Sequence, residues 1–293
     1  MLRRVSTYIR QRGLLVKDKP VLVALSGGAD SVSLLDVLVR AGYTCIAAHC
    51  NFHLRGEESD RDEAFVRNLC KQMNVVLEVT DFDTIEYART HEVSIEVAAR
   101  ELRYRWFDEM ARKHGCQAVC VAHHQNDQAE TILLNLKRGT GIRGLAGMRP
   151  VSANPIVPES VPIVRPLLCT TRGYIEHYLK DKRHLDWVTD STNSDTSFTR
   201  NAIREQLKNY SKTEIEHMAQ TAEYMQGYVD MIEGKSSREE GIVRLYEQLR
   251  EYNFVEIDKI YDALQKGEGG KTFTSKTHQA TIKKGKLCVT LVS

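Results

Sequence analysis

Six consecutive residues, Ser26-Gly27-Gly28-Ala29-Asp30-Ser31, bring together the groups needed to hold a phosphate. Adjacent glycines let the backbone approach an anion closely, the first amides of a following helix point out of such a turn, and Ser26 and Ser31 add hydroxyl donors. Asp30 is the odd member. A carboxylate beside a polyphosphate is repelled unless a cation lies between them, which points to Mg2+ bridging Asp30 and the leaving phosphates. A plain helix N-terminus with an acid in its first turn accounts for Asp30, but not for the glycine pair and both serines.

The elements that must position this turn are legible on either side of it. Val21 to Leu25 form a short continuous apolar run, as in a strand buried on both faces, while Val32, Leu34, Leu35, Leu38 and Val39 recur at helical spacing. The alternation continues to Lys137. Strand-like runs at 20–25, 44–50, 75–80 and 117–122 are separated by helix-like stretches at 31–41, 57–72 and 94–113, and a further helix follows at 126–137. This pattern predicts a doubly wound parallel sheet of the α/β class, with ligands bound outside the carboxyl ends of the strands. Five of the six prolines fall between Pro150 and Pro166, predicting an irregular, stiffened loop. A helix-like segment at 171–180 and another starting near Arg200 follow. Beyond Lys212, the stretches 213–233 and 238–266 read as amphipathic helices, and the C-terminal run as two or three short strands with a Lys-Gly turn at 284–285. The expected organisation is an α/β domain at 1–212 and a small α+β domain at 213–293.

Composition excludes several classes. At 293 residues, 27% charged and 42% hydrophobic, the chain reads as an ordinary soluble protein. No stretch approaches the roughly 18 apolar residues of a membrane span, and the N-terminus lacks a signal-peptide core, so the expectation is a cytoplasmic protein with no membrane partner. Seven scattered cysteines without a C-x-x-C pattern fit reduced thiols. Between Lys137 and Lys212 there are thirteen Lys and Arg against seven Asp and Glu, a basic region suited to a polyanion. Other motifs fail on context. Gly139-Thr-Gly-Ile-Arg-Gly144 has dinucleotide-fingerprint spacing but follows a helix instead of a strand. A Walker A reading of Gly269-Gly270-Lys271-Thr272 requires glycine where Gln265 stands. His49, His53, His123 and His124 lack a complementary cluster at zinc spacing, which argues against a metal centre of that kind.

Ser-Gly-Gly-x-Asp-Ser after a first strand resembles the PP-loop of the N-type ATP pyrophosphatases, a fold of the adenine nucleotide alpha hydrolase type. Four further stretches, 49–66, 96–107, 121–148 and 165–204, are similar to those of the tRNA(Ile)-lysidine synthetase family. One departure stands out: Asn126-Asp127-Gln128 replaces the Asp-Asp-Gln of many relatives.

The resemblance implies a two-step ligation. The 2-carbonyl oxygen of the wobble cytidine in a CAU-anticodon isoleucine tRNA attacks the α-phosphate of ATP, and free L-lysine then displaces AMP to form lysidine. Ser26, Gly27, Gly28, Ala29, Asp30 and Ser31 would hold ATP, with Asp30 as the Mg2+ ligand. A lysine amine titrates near pH ~10.4, so it must be bound as an ammonium and then lose a proton. Asp127 and Glu130, three apart on one helix face, are the expected pair, with lysine or metal binding first and base catalysis second. Arg103 joins Asp30, Asp127 and Glu130 as a candidate catalytic residue. Arg100, Arg138, Arg143, Arg200 and Arg204 are candidates for the splayed anticodon loop and its phosphates. A homodimer is left open by the helical C-terminal region. The alternatives are a tRNA thiolation enzyme on the same loop, which would be expected to show paired cysteines, an amidating synthetase, and a nucleotide-binding protein without catalysis.

Overall fold

The computed structural model describes residues 1–54, 56–189, 199–283 and 285–292, and the side chains of 199–201 are outside that description. The chain divides into two compact units, Met1–Leu133 with Met148–Glu216, and Leu134–Gly147 with His217–Ser293. The second thus takes in the 134–147 segment as well as the C-terminal residues.

The first unit is built on β1 (Val21–Ala24), β2 (Cys45–Asn51), β3 (Val76–Asp81), β4 (Val119–Cys120), β5 (Val151–Ser152) and β6 (Ile163–Val164). Their order is β3-β2-β1-β4-β6-β5, parallel throughout except for the β5–β6 pair. β1 and β4 are neighbours on opposite sides of the point where strand order reverses, so their carboxyl ends open a crevice. Side-chain alternation along β1 explains the two covered faces. Val21 and Val23 join a core with Val32, Leu35 and Leu38, whereas Leu22 joins Tyr104, Phe107 and Val119. At about 1.5–3 kcal/mol for each fully buried large aliphatic side chain, these two cores dominate the unit's stability.

The helices are α1 (Leu2–Gln11), α2 (Ala29–Arg40), α3 (Glu57–Met73), α4 (Thr84–Thr90), α5 (Ile95–Lys113) and α6 (Gln125–Arg138), with α7 (Ile142–Leu145), α8 (Arg172–His177) and α9 (Thr199–Leu207) after them. The proline-rich stretch differs from expectation. It carries β5 and β6, and β6 is an inner strand paired with β4. Each strand is only two residues long, too short to show a period, and Pro162 and Pro166 bracket β6 where no ladder donor is required.

The second unit contains the end of α6 from Leu134, α7, α10 (Lys212–Ile232, from His217 on), α11 (Arg238–Leu249), α12 (Ile257–Gln265) and an antiparallel sheet of β7 (Thr272–Thr274), β8 (His278–Lys283) and β9 (Lys286–Leu291). Its core gathers Ile242, Leu245, Leu249, Phe254, Ile257, Ile260 and Ala280. The 238–266 stretch is two helices, separated by a 3-10 turn at Arg250–Tyr252 and by Asn253 in the left-handed region at φ +56°. No helix among the described residues is long and apolar enough to cross a membrane.

Candidate active site

The Ser26–Ser31 turn joins β1 to α2. Gly27 sits at φ +91°, open to glycine at little cost, and a Cβ there would lie 2.8 Å from Val188 Cγ2. The same valine donates its backbone N–H to the Gly27 carbonyl at 3.0 Å, so residues 184–188 brace the turn from behind. Asp36 anchors that brace. It is buried on α2 and accepts hydrogen bonds from Tyr178 and from both Nε and Nη2 of Arg183. Within the turn, Ser31 Oγ accepts from the Ser26 amide at 3.2 Å and donates to the Gly28 carbonyl at 3.0 Å. Gly28 is the N-cap of α2 and supplies no capping side chain, so the first amides of the helix are left for a ligand.

A cleft of about 310 Å³ opens beside this turn, lined by Ser26, Asp30, Phe52, Arg103, His123 and Asp127 among others. Asp30 and Asp127 come from the β1 and β4 ends respectively, and His124 joins them. Its Nε2 is 3.5 Å from Asp30 Oδ1, and its Nδ1 is 3.3 Å from Asp127 Oδ2. Arg172, at the start of α8, adds a guanidinium nitrogen 3.5 Å from Asp30 Oδ2. Burial pushes the Asp30 carboxyl up, but His124, then Arg172 and Arg204, outweigh it and leave its pKa below the ordinary value. Burial pulls the His124 imidazole down, yet Asp127 and Asp30 more than reverse this and its pKa rises. Beyond that 3.5 Å approach of His124 Nε2, Asp30 Oδ1 is buried without a hydrogen bond among the described residues. An orphaned carboxylate oxygen at a phosphate-binding turn has the donor character of a hard-cation ligand.

Three consecutive side chains shape the β4–α6 junction. Asn126 Oδ1 accepts the Arg172 backbone N–H at 3.0 Å, Asp127 Oδ2 accepts that of His124 at 2.9 Å, and Gln128 exchanges two hydrogen bonds with the Met148 backbone. Asn126 thus has a structural task here, holding α8 to α6.

Glu130 stands elsewhere than the cleft lining. It is buried, and Arg204 Nε donates to its Oε2 at 2.7 Å. Arg103 lies over the Phe52 ring at 5.0 Å and lines the cleft, while Arg100 lies over Tyr104 at 5.0 Å with its residue exposed. In the second unit Arg138 is exposed, and Arg143 pairs with Glu233 at 3.0 Å. The side chain of Arg200 lies outside the described residues. The turn residues, Asp127 and Arg103 are therefore brought to one cleft, and Glu130 and Arg204 pair with each other.

Sequence reasoning missed His124 and Arg172. The sequence offers His124 only as a candidate zinc ligand. Its position just after a strand run, level with the Ser26 turn in a parallel sheet, is the signal that would have found it. Arg172 carried no local signal.

Comparison with known proteins extends these observations. Residues 2–222 match the family model for the PP-loop domain, and residues 237–292 match that for the TilS substrate binding domain. The tRNA(Ile)-lysidine synthase of Parabacteroides distasonis is 45% identical, over 95% of this chain and 67% of its own length. That of Bacteroides thetaiotaomicron is 44% identical, over 94% and 68%. That of Porphyromonas gingivalis is 51% identical over 78% of this chain and 49% of its own. Among solved structures, the U34-tRNA thiolase NcsA of Methanococcus maripaludis, with its 4Fe-4S cluster, superposes with a TM-score of 0.59 at 18% identity. It covers 76% of this chain and 77% of its own, a likeness of fold alone.

Proposed function

The chain belongs to the tRNA(Ile)-lysidine synthase family, and from that premise we propose that one cleft serves both steps by which lysine is joined to the wobble cytidine of a CAU-anticodon isoleucine tRNA. The protein is a tRNA-modifying ligase that uses ATP. The observation that carries the reading is the meeting of the Ser26–Ser31 turn with Asp127 across His124.

In the first step the turn amides and the Ser26 and Ser31 hydroxyls hold the pyrophosphate portion of ATP. The cytidine oxygen attacks the α-phosphate, and pyrophosphate leaves toward the turn. The orphaned Asp30 Oδ1 is the atom that would hold Mg2+, whose chemistry when bound is to neutralise charge on the leaving phosphates. Arg103, at the cleft wall without a carboxylate partner among the described residues, meets the anionic substrates.

In the second step Asp127 receives the lysine ammonium, because it reaches the cleft. An adjacent carboxylate raises an amine's pKa, so it opposes early deprotonation. The ammonium has no lone pair, so one proton leaves first, with Asp127 in place to accept it; the neutral amine then attacks C2 of the adenylated cytidine, AMP departs, and the second proton is lost from the newly bonded nitrogen. Glu130 holds Arg204, which keeps that guanidinium close enough to lower the Asp30 pKa. Arg100 and Arg138, both exposed, are left to meet the RNA backbone.

The test is pyrophosphate release from ATP and Mg2+ with CAU-anticodon isoleucine tRNA, with and without lysine, followed by mass analysis of the digested tRNA. The expected result is an adenylated cytidine without lysine and a lysine adduct with it. Pyrophosphate released equally without tRNA would sink the proposal.

A further inference from the structure

Arg103 holds its guanidinium 5.0 Å from the centroid of the Phe52 ring, and among the described residues no carboxylate pairs with it. The side chain borders two cavities at once. One is the cleft of about 310 Å³, and the other, of about 220 Å³, is lined by Ser26, His49 and Asn51 among others. An unheld arginine keeps its full rotamer freedom and would turn its donors to either space.

What holds it is a column of rings. Phe52 stacks on Phe82 with centroids 5.6 Å apart and planes at 26°, and Phe82 meets the Trp106 ring edge-on at 6.5 Å and 86°. Trp106 lies one helical turn beyond Arg103 on the same face of α5, and packs against the core that contains Leu22, Tyr104 and Phe107. The column therefore leaves α5 at Trp106 and returns to it at Arg103. Its middle is pinned through the backbone. The Phe82 N–H donates to the Asn51 carbonyl at 2.9 Å, the Thr84 hydroxyl to the Phe52 carbonyl at 3.3 Å, and the His53 N–H to Asn51 Oδ1 at 3.0 Å.

A ring face attracts a guanidinium without neutralising it. A carboxylate in the same place would compete with substrate oxyanions for the same donors, whereas a phenyl ring leaves the N–H groups at the guanidinium edge available. We propose that Phe52, backed by Phe82 and Trp106, is the positioning residue that fixes Arg103 with its donors turned to a substrate oxyanion in the cleft. The inference rests on the reading of that cleft as the site of both steps. Phe52 acts through Arg103 and moves no proton.

The experiment replaces Phe52 by 4-fluoro-, 3,5-difluoro- and 3,4,5-trifluorophenylalanine, which withdraw charge stepwise from the ring face while hardly changing its size. In single-turnover lysidine formation at saturating substrate the rate should fall with each fluorine. Phe52→Leu, which has no ring, should lie at the low end, about 5- to 30-fold below wild type, and Phe52→Tyr should stay within about twofold. Packing alone predicts a flat series, and a flat series overturns the inference. Spectra of protein carrying 13C-labelled arginine, with Arg103 assigned from Arg103→Lys, supply a readout without turnover. The Arg103 side-chain protons should be displaced upfield by the Phe52 ring and return toward ordinary positions in Phe52→Leu. In wild type they should move again when α,β-methylene ATP with Mg2+, or L-lysine, is added. Movement with the nucleotide identifies the oxyanion as a phosphate, and movement with lysine alone identifies it as the amino-acid carboxylate. Signals that Phe52→Leu leaves in place, or that neither ligand moves, overturn the inference. A protein that shows the ring shift and the ligand response yet makes no lysidine refutes the proposed reaction and leaves this contact standing.

Discussion

The β1–α2 and β4–α6 junctions are the same piece of architecture used in two ways. Both lead from the carboxyl end of one of two paired parallel strands into a helix. The first is made of glycines and hydroxyls, with backbone amides as its working groups and Asp30 as its one charge. The second is made of His123, His124, Asn126 and Gln128, each tied to another segment of chain, and Asp127, tied to the backbone of His124. Backbone amides bind whatever anion fits, so they suit the constant phosphate part of a substrate. Side chains set by tertiary partners suit the part of the reaction where charge changes.

If that division holds, substitutions in the two junctions should stop the reaction at different steps. Asp30→Ala is expected to cut tRNA-dependent pyrophosphate release by about 10³-fold or more, since it removes the candidate cation ligand from the phosphate turn. Asp127→Asn should leave a stoichiometric burst of pyrophosphate and slow the lysine step by about 10²-fold. Rapid-quench measurement of pyrophosphate beside mass analysis of the tRNA separates the two. Loss of the burst in Asp127→Asn would show that the junctions act as a single unit.

A second pair separates backbone geometry from charge. Gly27→Ala puts a Cβ on a residue at φ +91° and 2.8 Å from Val188 Cγ2, so it should destabilise the protein by about 2 kcal/mol. Urea denaturation should find this loss nearly constant between pH 5 and pH 8. His124→Gln should behave differently. The raised His124 pKa means that its stabilisation is fully present below the unperturbed 6.5 and lost as pH rises through the folded-state value. Asp30, with its lowered pKa, contributes above 3.8 and loses that contribution as pH falls through the folded-state value. Asp30, Asp127 and Arg172 are the charged groups facing His124, and the carboxylates prevail. The melting-temperature difference between wild type and His124→Gln should therefore be largest near pH 5 to 6 and shrink on the alkaline side. A difference that grows with pH would mean that His124 is held neutral.

The two junctions also differ in how much of them the sequence disclosed. The phosphate turn was legible because its chemistry is local: six neighbouring residues, an apolar run before them and a helical period after. The doubly wound sheet followed from the same alternation, and β2, β3, α3 and α5 lie within a residue or so of the expected stretches. The β4–α6 junction was half legible. Asp127 was visible from spacing, but the pairing of Glu130 with Arg204 spans 74 residues, and no local pattern reports it. β5 and β6 were hidden by brevity among prolines, and the break after Leu249 by a left-handed asparagine that leaves no periodic trace.

Asn126 supplies the finest test, because there an amide stands beside the carboxylate of Asp127. Its Oδ1 satisfies the backbone N–H of Arg172, whose side chain faces Asp30. Asn126→Ala leaves that amide to water and should cost about 1 kcal/mol, the usual value of a lost helix-start acceptor. Asn126→Asp keeps the acceptor, so thermal unfolding should register almost no change while a carboxylate is added one residue from Asp127. If the work of position 126 is to hold α8 in place, the aspartate variant should also keep wild-type KM for lysine. A fall in that KM with unchanged stability would instead make the position part of the lysine site, and would extend the charged junction by one residue.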